Sequence, residues 1–229
     1  MAAFSNDPLA HKRRSVLRHY VIPALKDLGF RRHERLGSWH RSAGQSVWTV
    51  AYDGGWLAEP THTDLSVTIG VGHLGLQTFL ASAPQLILLG SRDPTAPLDL
   101  ILGLKDLDPA CTTRQRPEYV LHEETQPRAV GQDIVARLHS HAVPFWRRFP
   151  SYEALIPLLD GPSSEWRPNV SAVAFLRLAA WEWLHGRAEA AYQRLAAARA
   201  LAGPSIEEHV SGLRAWLEAQ PLGVGPTVH

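Results

Sequence analysis

Ile22-Pro23-Ala24-Leu25-Lys26-Asp27-Leu28-Gly29-Phe30 runs into three short alternating segments, residues 36–41, 47–52 and 65–71, and the reading of this stretch decides the fold class. Upstream of it, apolar residues recur at helical spacing at Val16, Leu17, Tyr20, Val21, Ala24, Leu25 and Leu28, which predicts one amphipathic helix facing a core. Asp7 is a plausible N-cap and Pro8 occupies the first helical position, where a missing N–H costs nothing. Pro23 lacks the N–H that would bond the preceding turn, so a kink or a restart is expected there. Gly29 suits a left-handed C-cap, with Phe30 folding back on the last turn.

The next three segments carry a period of two: Trp39 with its neighbours, Val47, Thr49 and Ala51 against Trp48, Val50 and Tyr52, and Leu65, Val67, Ile69 and Val71 against Ser66, Thr68 and Gly70. Ala43-Gly44 reads as a hairpin turn and Asp53-Gly54-Gly55 as a second break. An antiparallel sheet with the first helix on one face follows. Trp39, Trp48 and Trp56 are then most simply packing residues of that sheet.

Beyond Gly72 the patterns weaken. Residues 73–82 fit a short helix or an extension of the strand, and residues 86–89 and 98–104 are apolar segments parted by turns. Residues 114–121 read as a last strand, which Pro117 places at an edge. Helical spacing returns from Gln132, is interrupted at Pro144 and resumes over residues 152–159; Gly161-Pro162-Ser163-Ser164 is the best linker. Residues 170–185, 187–202 and 206–219 then form three helices, broken at Gly186 and at Gly203-Pro204.

A chain of 229 residues can bury a sizeable core, so neither a disulfide nor a structural metal is required. Cys111 is the single cysteine, which excludes an internal disulfide and a Cys-based zinc cluster within one chain and suits a reducing cytoplasm. No basic-then-apolar leader pattern opens the sequence, and Arg177 and Glu182 interrupt the longest apolar run, so a soluble protein without membrane spans is expected. Charge is uneven: the first 50 residues hold nine Lys and Arg against three acids, +6, while the remainder carries −5. Such asymmetry marks either a face for nucleic acid or two mutually attracting halves.

Two resemblances extend this reading. Leu178-Ala179-Ala180-Trp181-Glu182-Trp183-Leu184-His185-Gly186-Arg187-Ala188-Glu189-Ala190-Ala191-Tyr192 resembles the helical hairpin of a tetratricopeptide repeat, with Ala180 and Ala191 allowing close approach. No second copy at the repeat period follows it, so the resemblance implies one hairpin rather than a peptide-binding superhelix. The order of Leu-x-x-Leu-Gly-Phe-Arg-Arg (25–32), Trp39-His40-Arg41, the Trp-containing segment 47–52 and the segment 65–71, with Ala142-Val143-Pro144-Phe145-Trp146 and Tyr152-Glu153-Ala154-Leu155 later, is similar to the bacterial family catalogued as domain of unknown function 4304. That resemblance covers roughly residues 8–160 and implies an α+β fold. The family brings no assigned activity, so no catalytic residue is carried over.

Phosphate-binding Gly-x-x-x-x-Gly-Lys-Ser/Thr, dinucleotide Gly-x-Gly-x-x-Gly, nucleophile-elbow and His-Glu-x-x-His motifs are missing from the sequence. His139 and His141 sit two apart on a helix and point to different faces, and Asp106 and Asp108 read as a solvated turn before Pro109. The expectation is therefore an α+β chain with an N-terminal helix packed on an antiparallel sheet over residues 1–160, an all-helical C-terminal part over residues 165–220 and a frayed tail over residues 221–229. It is expected to be a non-catalytic cytoplasmic interaction protein that takes no cofactor and binds a protein partner. Its contact surface would be the less covered sheet face with Trp39, Trp56, Arg31, Arg32 and Arg41, since Arg and Trp are over-represented in binding hot spots. One alternative is nucleic-acid binding through the basic N-terminal region, Lys12, Arg13, Arg14, Arg18 and Arg35 together with Arg31 and Arg32. The other is a hydrolase or metal-dependent enzyme that uses His40, His62 and His73 with Asp64.

Overall fold

The computed structural model of the chain describes residues 8–33, 38–44, 46–53, 61–81, 83, 100–108, 110, 118–160 and 172–223. Trp56, Arg35, Cys111, Pro117, the apolar run 86–89 and the linker 161–164 lie outside them. The architecture is α+β: an N-terminal helix, an antiparallel sheet, then an all-helical C-terminal part.

Contacts divide the chain into two compact units. One comprises Met1–Arg41, Trp48–Gly70 and Ile101–Arg148; the other comprises Ser42–Val47, Val71–Leu100 and Phe149–His229. The strands are β1 (Arg31–Arg32), β2 (Trp39–Ala43), β3 (Ser46–Asp53), β4 (His62–His73), β5 (Leu100–Gly103) and β6 (Tyr119–His122), in the order β1-β2-β3-β4-β5, with β6 also paired to β4. Arg31 faces His40 and Arg32 faces Trp39 across β1 and β2. Between β4 and β6 the register pairs His62 with His122, Thr63 with Leu121, Asp64 with Val120 and Leu65 with Tyr119.

In the first unit, α1 (Pro8–Val16) continues through a π-helical turn, Leu17–Val21, into α2 (Ile22–Asp27). The wide turn explains how Pro23 is tolerated, because one extra residue in the turn relieves both the missing N–H and the clash of its ring with the turn behind it. The same device recurs where α4 (Pro127–Arg137) passes through the π-helical turn Leu138–Ala142 into α5 (Val143–Arg147), with Pro144 at the same spacing. The sequence reading placed the start of α4 at Gln132, five residues late. α4 opens instead on Pro127 after an extended Gln126 that makes no side-chain cap.

The end of α2 follows the expected cap. Gly29 has φ +81° and donates to the Lys26 carbonyl, while Phe30 N–H donates to the Leu25 carbonyl at 2.9 Å. This is the paired bonding of a Schellman motif. Phe30 then packs on Trp146 of α5, whose indole stacks at 5.5 Å on Trp48 of β3 and donates from Nε1 to the Gly70 carbonyl of β4 at 3.1 Å. One aromatic side chain thus ties the helical layer of this unit to two strands.

α1 and its π-helical turn pack along α4, and Gly131 makes the approach close. A Cβ at Gly131 would lie 2.4 Å from Cγ and 2.6 Å from Cβ of Tyr20, so the whole ring would have to move rather than its tip. Gly131→Ala should cost about 2 kcal/mol of unfolding free energy in a urea titration, as overpacking does. Tyr20→Ala made in the Gly131→Ala background should return part of that loss, because the two changes share one contact.

In the second unit, α7 (Ala172–Leu184) is the central element: α3 (Leu74–Ala81), α6 (Tyr152–Asp160), α8 (Ala188–Ala202) and α9 (Glu207–Glu218) all pack against it. It is buried on every side, as an all-round apolar helix must be. Its two charged residues, Arg177 and Glu182, are buried as well. Glu182 is bonded by Arg187 and lies 3.9 Å from Arg194, and its carbonyl accepts the Arg187 N–H, so it closes the α7–α8 turn at Gly186. Gly223 donates to the Trp183 carbonyl, and a Cβ there would lie 3.4 Å from the Gly186 Cα, so residues 221–223 dock on that turn; residues 224–229 lie outside the described residues. Among the described residues no helix is long and apolar enough to cross a membrane.

Candidate functional site

The residues expected to form a contact surface do not remain together. Trp39 is 4% exposed, with its Nε1 pointing at the Tyr52 hydroxyl, so its ring belongs to the core rather than to a binding face. Arg41 donates to the Leu28 carbonyl at 2.7 Å and covers the Trp48 ring at 4.9 Å, which makes it a clamp on the end of α2. Among the described residues of that set Arg31 and Arg32 stand exposed, consecutive on β1, the first strand of the sheet, and so directed to its two faces. Trp56 lies outside the described residues.

The basic N-terminal region is also reassigned in part. Lys12 was expected among the nucleic-acid-binding groups of this region. Its ammonium instead donates to the carbonyls of His122, Glu123 and Thr125, closing the turn after β6 onto α1. One terminal nitrogen of Arg13 is buried. Arg14 and Arg18 stay at the surface, with Arg14 bonded to the Ala10 carbonyl of its own helix.

The histidines expected to converge are dispersed. His62 and His73 stand at opposite ends of the twelve-residue β4, roughly 35 Å apart at the rise of an extended strand. His40 sits on β2, bonded to Ser38 Oγ at 2.8 Å and stacked on His33. Among the described residues no three His, Cys, Asp or Glu side chains gather as a metal-binding group. The closest neighbour of His62 in this respect is His122, directly across the strand pair, with ring centroids 5.6 Å apart.

Two polar clusters were not foreseen. In the first unit, Glu118 is 7% exposed and its carboxylate accepts the N–H groups of Val67, at 3.0 Å, and of Lys105, at 3.2 Å. Val67 lies where the edge of β4 passes from β6 to β5, and there a carboxylate takes the place of a strand partner. Gly103 is needed at this point, because a Cβ there would lie 2.3 Å from Glu118 Oε1 and 2.8 Å from Asp106 Oδ2. Lys105 bonds the Glu118 carbonyl and lies 4.1 Å from the centre of the Tyr119 ring.

Tyr119 Oη donates to Asp133 Oδ2 at 2.8 Å, Arg137 Nε donates to the same oxygen at 2.9 Å, and Arg137 also binds Asp108. The Ala110 N–H, with Arg137, holds the Asp108 carboxyl below its ordinary value. Burial, and after it the Asp133 hydrogen bond, push the Tyr119 phenol well above its ordinary value. The folded state therefore keeps the Tyr119 proton where the unfolded chain releases it, so this contribution is complete below pH ~10 and is lost as pH rises beyond. Between pH 10 and 11 the wild type should lose about 1 kcal/mol more stability than Tyr119→Phe, read from parallel urea titrations.

In the second unit, His73 is buried at the end of β4, accepts the Leu76 N–H at Nδ1, and lies edge-on to Trp181 at 4.6 Å. His185, whose ring also packs on Trp181, directs Nδ1 to the Trp181 carbonyl at 2.9 Å and places Nε2 4.0 Å from Glu153. Burial raises the Glu153 carboxyl, but Ser151, its own N–H and the two histidines bring it below its ordinary value. The His185 ring thus packs on Trp181 while its Nε2 lies at the Glu153 carboxylate.

Comparison with known proteins leaves the site to stand on its geometry. No family model, curated protein or solved structure matches the chain. Most of the charged side chains described above are engaged by neighbours in their own unit, and the exposed pair Arg31 and Arg32 on β1 is the candidate site.

Proposed function

We propose that this chain is a non-catalytic interaction protein that captures an acidic, extended segment of a protein partner along β1. The observation that carries the reading is the pair Arg31 and Arg32, both exposed on the terminal strand of the sheet, while Arg41 and Lys12 are taken up by backbone carbonyls. A terminal strand offers backbone N–H and C=O groups on its outer side, to which an extended peptide can add as a further strand. Two guanidinium groups beside that edge favour carboxylates on the incoming segment and disfavour pairing with a second basic edge. A reducing cytoplasm suits a chain with one cysteine.

Nucleic-acid binding is the second reading, favoured by the exposure of Arg14 and Arg18 on the N-terminal helix. The loss of Lys12 and part of Arg13 to internal contacts leaves it with fewer phosphate-binding groups. Capture of partners by tagged, intact protein from its native lysate, with and without nuclease and read by mass spectrometry, separates the two. The strand-addition reading expects the same protein in both samples, held through a region rich in Asp and Glu. Enrichment that disappears after nuclease treatment would overturn it in favour of nucleic acid.

A further inference from the structure

We propose that His62 and His122 form an open two-histidine site for a divalent transition-metal ion such as Zn(II). They come from the start of β4 and the end of β6, 60 residues apart in sequence, and the antiparallel register sets them directly opposite one another. A zinc ion bound to two imidazole nitrogens at about 2.1 Å with tetrahedral angles holds the ring centroids roughly 5–6 Å apart. The observed separation is 5.6 Å, with the ring planes inclined at 51° so that both edges can turn toward one point.

The other histidine pair shows the contrast. His33 and His40 are 5.0 Å apart but stacked at 28°, so their edges do not turn toward a common point. At His62, Thr61 Oγ1 lies 3.4 Å from Nδ1. Strand alternation puts Asp64 on the same face as His62, adding negative potential, while the Lys12 ammonium on the carbonyls of His122, Glu123 and Thr125 opposes it. Two protein ligands leave coordination positions for water or for a donor brought by another molecule, so the affinity belongs on the order of micromolar rather than that of a closed structural site.

The test is titration of metal-stripped, full-length protein with Zn(II), followed by calorimetry and by NMR of the imidazole ring protons. The expected result is one saturable equivalent, with the ring resonances of His62 and His122 shifting together out of the twelve histidines. His62→Asn and His122→Asn, each checked for an unchanged thermal transition, should each weaken binding about tenfold or more, and His139→Asn should leave it within about twofold. Absence of saturable binding up to about 1 mM Zn(II), shifts at other histidines instead, or an affinity that survives both single variants would overturn the proposal.

Discussion

Trp146→Ala is expected to cost about 3–5 kcal/mol, the range for emptying a fully buried tryptophan site. The side chain is 0% exposed, stacks on Trp48, touches Phe30, and donates to the Gly70 carbonyl. Its removal leaves a cavity between helix and strands and takes one hydrogen bond from the Gly70 carbonyl of β4. Thermal unfolding followed by near-UV circular dichroism should show a fall of roughly 10 °C or more. Trp146→Phe separates the two contributions: it keeps most of the apolar contact and should lose only about 1 kcal/mol, the net worth of the hydrogen bond. Equal losses in the two variants would mean that the hydrogen bond, not the packing, carries the stability.

Glu118→Ala should cost about 3 kcal/mol, because it strips a buried carboxylate from two backbone N–H groups, that of Val67 in the interior and that of Lys105 in a half-buried position. Glu118→Gln tests the same statement without a cavity. An amide keeps one acceptor oxygen but turns an NH2 group against a backbone donor, so the loss should be intermediate. Guanidinium titration of the three proteins reads this directly. A Glu118→Gln protein as stable as the wild type would show that only one of the two N–H groups depends on this side chain.

The parts of the fold that were legible in the sequence are those set by local chemistry. The end of the first helix is one example. The positive φ of Gly29 and the Phe30-to-Leu25 bond depend on neighbours within five residues, all visible in the string. The same holds for the turn at Gly44 and for the break between the C-terminal helices at Gly186, with φ of +63° and +75°. The start of α4 was missed because Gln126 offers no recognisable cap.

The polar groups were misread for a different reason. Helical spacing correctly put Lys12 off the apolar stripe, but its carbonyl partners lie 110 to 113 residues further along the chain. Glu118 carried no motif, since its task is set by the place where β4 changes strand partners. Trp39 and Arg41 were read as a surface because alternation says which residues share a face but not which face is covered. The grouping of His62 with His40 and His73 failed on register: an antiparallel strand decides which distant residue becomes a neighbour, and here it chose His122.

Binding at the β1 edge is most directly tested by capturing partners with three baits in parallel: wild type, Arg31→Glu/Arg32→Glu, and Arg14→Glu/Arg18→Glu. The prediction is that the nuclease-resistant partner is retained by the wild type and by the helix variant and is reduced about tenfold or more by the strand variant, since two central arginines become repulsive to an acidic segment. Unchanged capture by Arg31→Glu/Arg32→Glu, with loss in Arg14→Glu/Arg18→Glu, would contradict it and move the contact surface to the N-terminal helix.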